Sequence, residues 1–204
     1  ARHWKMLTLM GLMGVAAFST LLFTGLSLTT ATNALLLNST APVLIVLVGW
    51  IWVGERVTTR QAFGILVSLL GVAAIVFKGS WAGVRALDFG AGDLWVVAVV
   101  TVWAAYTVLL RRRPRDIDMR VFLVVTIAAG VLATLPIYIV ETIAGATTMF
   151  TAASISGLFY VGLFPSLLSH AFWNRAVGEV GAARAGLFIH LTPVFGTLLA
   201  IIFL

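Results

Sequence analysis

Seven apolar runs, each close to the length of a membrane crossing, leave this chain few folds to choose from. They lie at about residues 6–27, 33–53, 58–77, 94–110, 121–140, 155–173 and 182–204. A bilayer core of about 30 Å takes roughly 20 helical residues to cross. The runs therefore predict an all-α integral membrane protein, with about seven helices in this chain. Composition excludes the soluble alternative. Hydrophobic residues make up 61% of the 204 and charged residues only 10%, against roughly 25% charged in an average soluble chain.

Short polar connections separate the runs. Residues 111–120 form the clearest, with five arginines and two aspartates around Pro114, which cannot continue a helix. Thr58 and Gln61 have the spacing of a capping box opening the third run, and Asp93 stands where an N-cap for the fourth is needed. No short run with a cleavage site opens the chain, so no signal peptide is expected. The last run stops at Leu204 without a flanking charge, which leads us to expect that the natural protein continues.

Seven crossings would put Arg2, Lys5, Arg56, Arg60, Arg111, Arg112, Arg113, Arg115, Arg120, Arg175 and Arg184 on one side, and only Lys78 and Arg85 on the other. That asymmetry assigns the basic side to the cytoplasm. It also explains the net charge of +6 without a nucleic-acid partner. Trp4, Trp50, Trp52 and Trp173 fall near the basic ends, and Trp81, Trp95 and Tyr138 near the opposite ends, as interfacial anchors do. Trp103 and Tyr160 lie well inside their runs.

Shifted by 151 residues, the chain matches itself. Pro42 falls on Pro193, Ser39 on His190, and Gly11 and Leu12 on Gly162 and Leu163. The first two runs thus correspond to the sixth and seventh. Because run one starts on the basic side and run six on the other, the repeat is inverted and spans five helices, an arrangement typical of secondary carriers. On this count residues 1–85 hold the third to fifth helices of one unit, and residues 86–204 the first to fourth of the next. Two helices before the chain and one after it complete a ten-helix protein.

The residues that carry this repeat resemble a known family. Ala31, Asn33, Ser39, Thr40, Pro42, Trp50, Trp52, Gly54, Glu55, Gln61, Gly64 and Gly71, followed by Gly92, Asp93, Trp103 and Tyr106, are similar to the EamA-type repeat of the drug/metabolite transporter superfamily. The resemblance implies ten helices, cytoplasmic termini, a bacterial inner-membrane location, and a central cavity between the third, fourth and first helices of each half. It is nearest to bacterial exporters of aromatic amino acids.

Candidate site residues follow from burial cost. Pro42 and Pro193 each remove a backbone donor and free the carbonyl four residues earlier, at Asn38 and Ile189; such breaks are tolerated where they line a cavity or meet a polar neighbour. Asn38, Ser39, Thr40 and His190 are polar groups inside membrane runs and should face protein or water. A helix-to-helix hydrogen bond and contact with substrate are equal readings of His190. Ser166, His170 and Asn174 share a helical face, with His170 and Asn174 near the basic end, where a gate or an ordinary interface fits best. Trp95, Val99, Trp103 and Tyr106 form a stripe, and Trp103 and Tyr106, with Tyr160, could present a flat aromatic wall to a substrate. Gly64, Ser68 and Gly71 offer a small-residue face for helix packing.

No Asp, Glu or Lys lies mid-run, so no buried carboxylate relay for proton coupling is visible, and no phosphate loop for ATP. No cofactor or metal is expected: the chain has no cysteine and no His–Glu cluster within the runs. A seven-helix receptor does not account for the repeat. Either a helix outside this chain supplies a carboxylate or transport runs uncoupled down the substrate gradient. On the uncoupled reading, the expected function is export of neutral or aromatic amino acids by alternating access, in a monomeric carrier. Multidrug export on the same fold is the alternative.

Overall fold

The computed structural model describes residues 3–77, 80, 85, 88–114, 116–147 and 150–203. Arg2, Lys78, Trp81, Arg115 and Leu204 fall outside them, as do residues 86 and 87 beside the expected unit boundary. Among the described residues, six helices are long and apolar enough to span a membrane: α1 (Trp4–Leu28), α2 (Ala31–Val53), α3 (Thr59–Val76), α4 (Ala91–Leu110), α5 (Met119–Ile143) and α6 (Ala152–Val180). The seventh run, α7, is made of three pieces, Ala182–Leu187, a 3-10 turn over Phe188–Leu191, and Thr192–Phe203. No single piece of it is long enough to cross alone. Six spans, one of them interrupted at Ser39 and Thr40, and a seventh rod in three pieces thus correspond to the seven apolar runs.

Two sequence details resolve differently. α6 runs to Val180 rather than 173, because Arg175 Nε donates to Glu179 Oε1 at 2.7 Å one turn on and prolongs the helix past its apolar stretch. Asp93 is not the N-cap of α4. Gly90 holds that position, and Asp93 sits in the first turn, accepting from the Gly90 N–H at 2.7 Å. The Thr58–Gln61 capping box forms as expected.

α4 is the most buried helix, with α1 and α2 packed along it and α5 against α1. The α1–α5 approach is backbone-close. A Cβ on Gly11 would lie 2.4 Å from the Thr126 carbonyl oxygen, and one on Gly130 would lie 2.4 Å from Val15 Cβ. The glycines expected to serve this purpose do not: a Cβ on Gly64 or Gly71 meets nothing within 4 Å among the described residues. At one end, Thr29 Oγ1, Asn33 Nδ2 and the Gly90 N–H converge on the buried Asp93 carboxylate. At the other, the Glu55–Arg111 ion pair, His3 with Asp116 at 3.2 Å, and the Arg112 Nη2 bond to the Trp52 carbonyl at 2.9 Å gather the basic loops together.

Helix irregularities repeat at the spacing of the sequence match. π-helical turns occupy Leu12–Ala17 in α1 and Gly162–Leu168 in α6. α2 breaks after Asn38 and resumes at Ala41; α7 turns to 3-10 geometry at Phe188 and resumes at Thr192. Each pair agrees with a shift of 151 to within one or two residues.

Candidate functional site

The two breaks meet each other. Ser39 and Thr40 cannot continue α2 into Pro42, and their hydroxyls turn back onto the chain: Ser39 Oγ donates to Leu36 O at 2.5 Å and Thr40 Oγ1 to Leu37 O at 2.7 Å. The carbonyl of Ser39 then accepts from His190 Nε2, 2.8 Å away on the 3-10 turn of α7. A carbonyl can only accept, so Nε2 carries the proton. The other ring nitrogen, Nδ1, lies 2.5 Å from Ser68 Oγ on α3, and in the neutral ring it accepts that hydroxyl's proton. One imidazole therefore ties three helices together at the point where two of them are broken. Gly186 allows the approach, since a Cβ there would stand 3.0 Å from Ile45 Cδ1 and 3.6 Å from Pro42 Cα.

A second junction lies on α4. The Trp103 ring packs on Phe18 of α1 (centroids 4.9 Å), Tyr106 (5.4 Å, nearly parallel), and His170 and Trp173 of α6 (5.6 and 5.3 Å). Polar tips of these rings are tethered. Tyr106 donates to Asn174 Oδ1 at 2.8 Å, and Trp173 Nε1 to Thr107 Oγ1 at 3.2 Å. His170 Nε2 donates to the Gly14 carbonyl at 2.9 Å, inside the π-helical turn of α1. Gly14 is required here, because a Cβ would lie 2.5 Å from the Tyr106 ring. The Asn174 amide nitrogen, fully enclosed, has no partner among the described residues.

Beyond Trp173 an apolar groove of about 760 Å³ opens between α6 and α7, walled by Phe164, Leu168, Phe172, Trp173, Ala176 and Phe188. Tyr160 packs against Phe164 in a tilted pair, centroids 5.1 Å apart, leading along α6 toward it.

The residues expected at a site divide accordingly. Ser39, Tyr106 and His190 are at most 4% exposed with their polar atoms engaged, so none offers a free polar group here. Asn38 and Trp103 are half-buried. Tyr160 is 59% exposed and lies apart from the aromatic junction. Pro42 is buried beside the α2 break, and Pro193 lies two residues beyond the 3-10 turn of α7. Trp173 is not an interfacial anchor: it is half-buried in the junction, held by Thr107. Phe18, Thr107, Phe164, Phe172 and Phe188 were not among the candidates. Of these, Phe164 and Phe172 stand eight residues apart with Leu168 between, a helical stripe that the sequence carries openly.

The EamA-like transporter family matches residues 1–77 and 90–204. An uncharacterized transporter of Bacillus subtilis, YyaM, is 26% identical over 185 residues, 91% of this chain and 61% of its own length. An uncharacterized transporter of Archaeoglobus fulgidus is 27% identical over 203 residues, 97% of this chain and 67% of that one. A probable terminal-alkyne amino-acid exporter of Streptantibioticus cattleyicolor is 30% identical over 208 residues, the whole of this chain and 66% of the exporter. The chain thus spans about 61–67% of these relatives. A solved crystal structure shares the fold, with a TM-score of 0.75 at 22% identity, over 98% of this chain and 66% of that one.

Proposed function

This chain belongs to the EamA-like transporter family, and from that premise we propose that the complete protein is an uncoupled carrier exporting neutral amino acids, aromatic or bulky apolar ones foremost. It works by alternating access between two inverted five-helix units in the bacterial inner membrane, with the basic loops cytoplasmic. The observation that carries the reading is the pair of helix breaks 151 residues apart that meet at His190 and Ser39. Related breaks in opposed helices supply the flexible points about which a carrier's halves rock, with the substrate near mid-membrane. The match of the family to two stretches of the chain, and the amino-acid exporter among its relatives, support the same view.

In this reading Asn38 and Trp103 face the substrate, while Tyr106 backs the Trp103 ring. His190 and Ser39 hold the breaks in register, and Pro42 and Pro193 keep them broken. Tyr160 and the groove at Phe164 lie on the approach. His170 belongs to the gate at the basic end, bonded to Gly14.

Uptake of labelled phenylalanine or tryptophan into proteoliposomes holding the complete protein, with and without a pH gradient, tests the proposal. Saturable uptake indifferent to the gradient is expected, lowered by Trp103→Ala and His190→Ala without loss of insertion. Gradient-driven uptake would replace uncoupled transport by a titrating group. Absence of amino-acid uptake would favour drug export, for which the apolar groove between α6 and α7 is suited. Normal transport by both variants would overturn the placement of the cavity.

A further inference from the structure

We propose that the cleft between α3 and α7 at the basic end of the bundle binds the phosphate of an anionic phospholipid headgroup, held between Arg60 and Arg184. The cleft, about 410 Å³, is lined by Thr58, Arg60, Gln61, Gly64, Arg184 and Leu187. Among the described residues, two cations from two helices border it and no carboxylate does. The other arginines near this end that have acid neighbours are already neutralised, Arg111 by Glu55 and Arg175 by Glu179. Arg60 and Arg184 have no carboxylate partner among the described residues.

Depth and shape specify the occupant further. Arg60 stands in the first turn of α3 and Arg184 in the first turn of α7, where these helices leave the basic loops; that is the level of lipid headgroups in a membrane-spanning bundle. Below the arginines the cleft continues along Gly64, where a Cβ would meet nothing within 4 Å, and along the apolar side chain of Leu187. One turn deeper the His190–Ser68 bond closes the floor by joining the same two helices. A space with cations at the headgroup level, an apolar side and a sealed floor takes a phosphate at its mouth and the start of an acyl chain beside it. Arginine suits this task because its planar fork binds phosphate through two parallel hydrogen bonds, and basic pockets between helices on this membrane face collect anionic headgroups.

The test is thermal unfolding of the complete protein in nanodiscs of phosphatidylcholine, with and without a minority of phosphatidylglycerol, and separately with inorganic phosphate in place of the anionic lipid. Phosphatidylglycerol should raise Tm by about 3 °C, and inorganic phosphate should leave it unchanged. The double variant Arg60→Gln/Arg184→Gln should lose the lipid response, while Arg120→Gln, an exposed arginine at the same end outside the cleft, should keep it. Should the double variant fail to fold, Gly64→Leu fills the cleft without removing charge and should also abolish the response. A wild-type protein indifferent to phosphatidylglycerol would overturn the site. So would a full response in the double variant or in Gly64→Leu, an equal loss in Arg120→Gln, or an equal shift with inorganic phosphate.

Discussion

α2 and α7 break at equivalent places, yet they repair the break by different means. In α2 the repair is local: the Ser39 and Thr40 hydroxyls donate hydrogen bonds to carbonyls three residues back, within the same helix. In α7 it is remote: His190 spans to the Ser39 carbonyl and to Ser68, on two other helices. The contrast follows from reach. A hydroxyl on Cβ is limited to its own preceding turn, whereas an imidazole carries two polar nitrogens on opposite sides of a ring. One break is therefore self-contained and the other is a joint.

Substitutions at the two breaks should separate these roles. His190→Ala is expected to cost the most, about 2 kcal/mol in thermal or denaturant unfolding of the complete protein, since it strands a carbonyl and a hydroxyl inside the bundle. His190→Gln should recover part of the loss, because its amide can still donate to the Ser39 carbonyl. Next comes Gly186→Leu, which forces a side chain against Ile45 and Pro42 where the two breaks touch. Overpacking of this kind should cost about 1.5 kcal/mol by the same measurement. Tyr106→Phe gives a scale from a buried bond that joins no breaks. Loss of its bond to Asn174 should cost about 1 kcal/mol. Ser39→Ala should be the mildest, about 0.5 kcal/mol, as His190 holds the Ser39 backbone and the local hydroxyl is the part removed. Equal costs for Ser39→Ala and His190→Ala would erase the distinction between a local repair and a joint. A double-mutant cycle of His190→Ala with Ser68→Ala would sharpen it by isolating the link to α3.

Much of this was readable in the residues. Apolar runs located all six membrane-length spans, most of them to within three residues at each end, because lipid selects for unbroken hydrophobicity over a fixed length. Prolines at a spacing of 151 located both helix breaks. The packing glycines were not readable. Gly64 and Gly71 carry the familiar spacing but meet nothing within 4 Å among the described residues, while Gly11, Gly14 and Gly130, with no such regular pattern, make the close contacts. A small residue permits approach without naming the partner. Trp173 shows the same limit: its position near a helix end fits an anchor, and only the neighbouring Thr107 shows that its indole is bonded inward.

The sequence by itself determined that the chain is a set of membrane-length helices with its basic loops on one face, and where two of those helices must fail. These properties depend on each segment's own exchange with lipid and on its own backbone, so they can be read along one dimension. Only the tertiary structure decided that His190 would join α7 to the Ser39 carbonyl and to Ser68 rather than present itself to a cavity, that Tyr106 would be sealed behind Trp103, and that Arg60 and Arg184 would border one cleft. Each of these depends on which distant segments become neighbours. Helix packing settles that through the fit of surfaces, which periodicity along a chain does not encode.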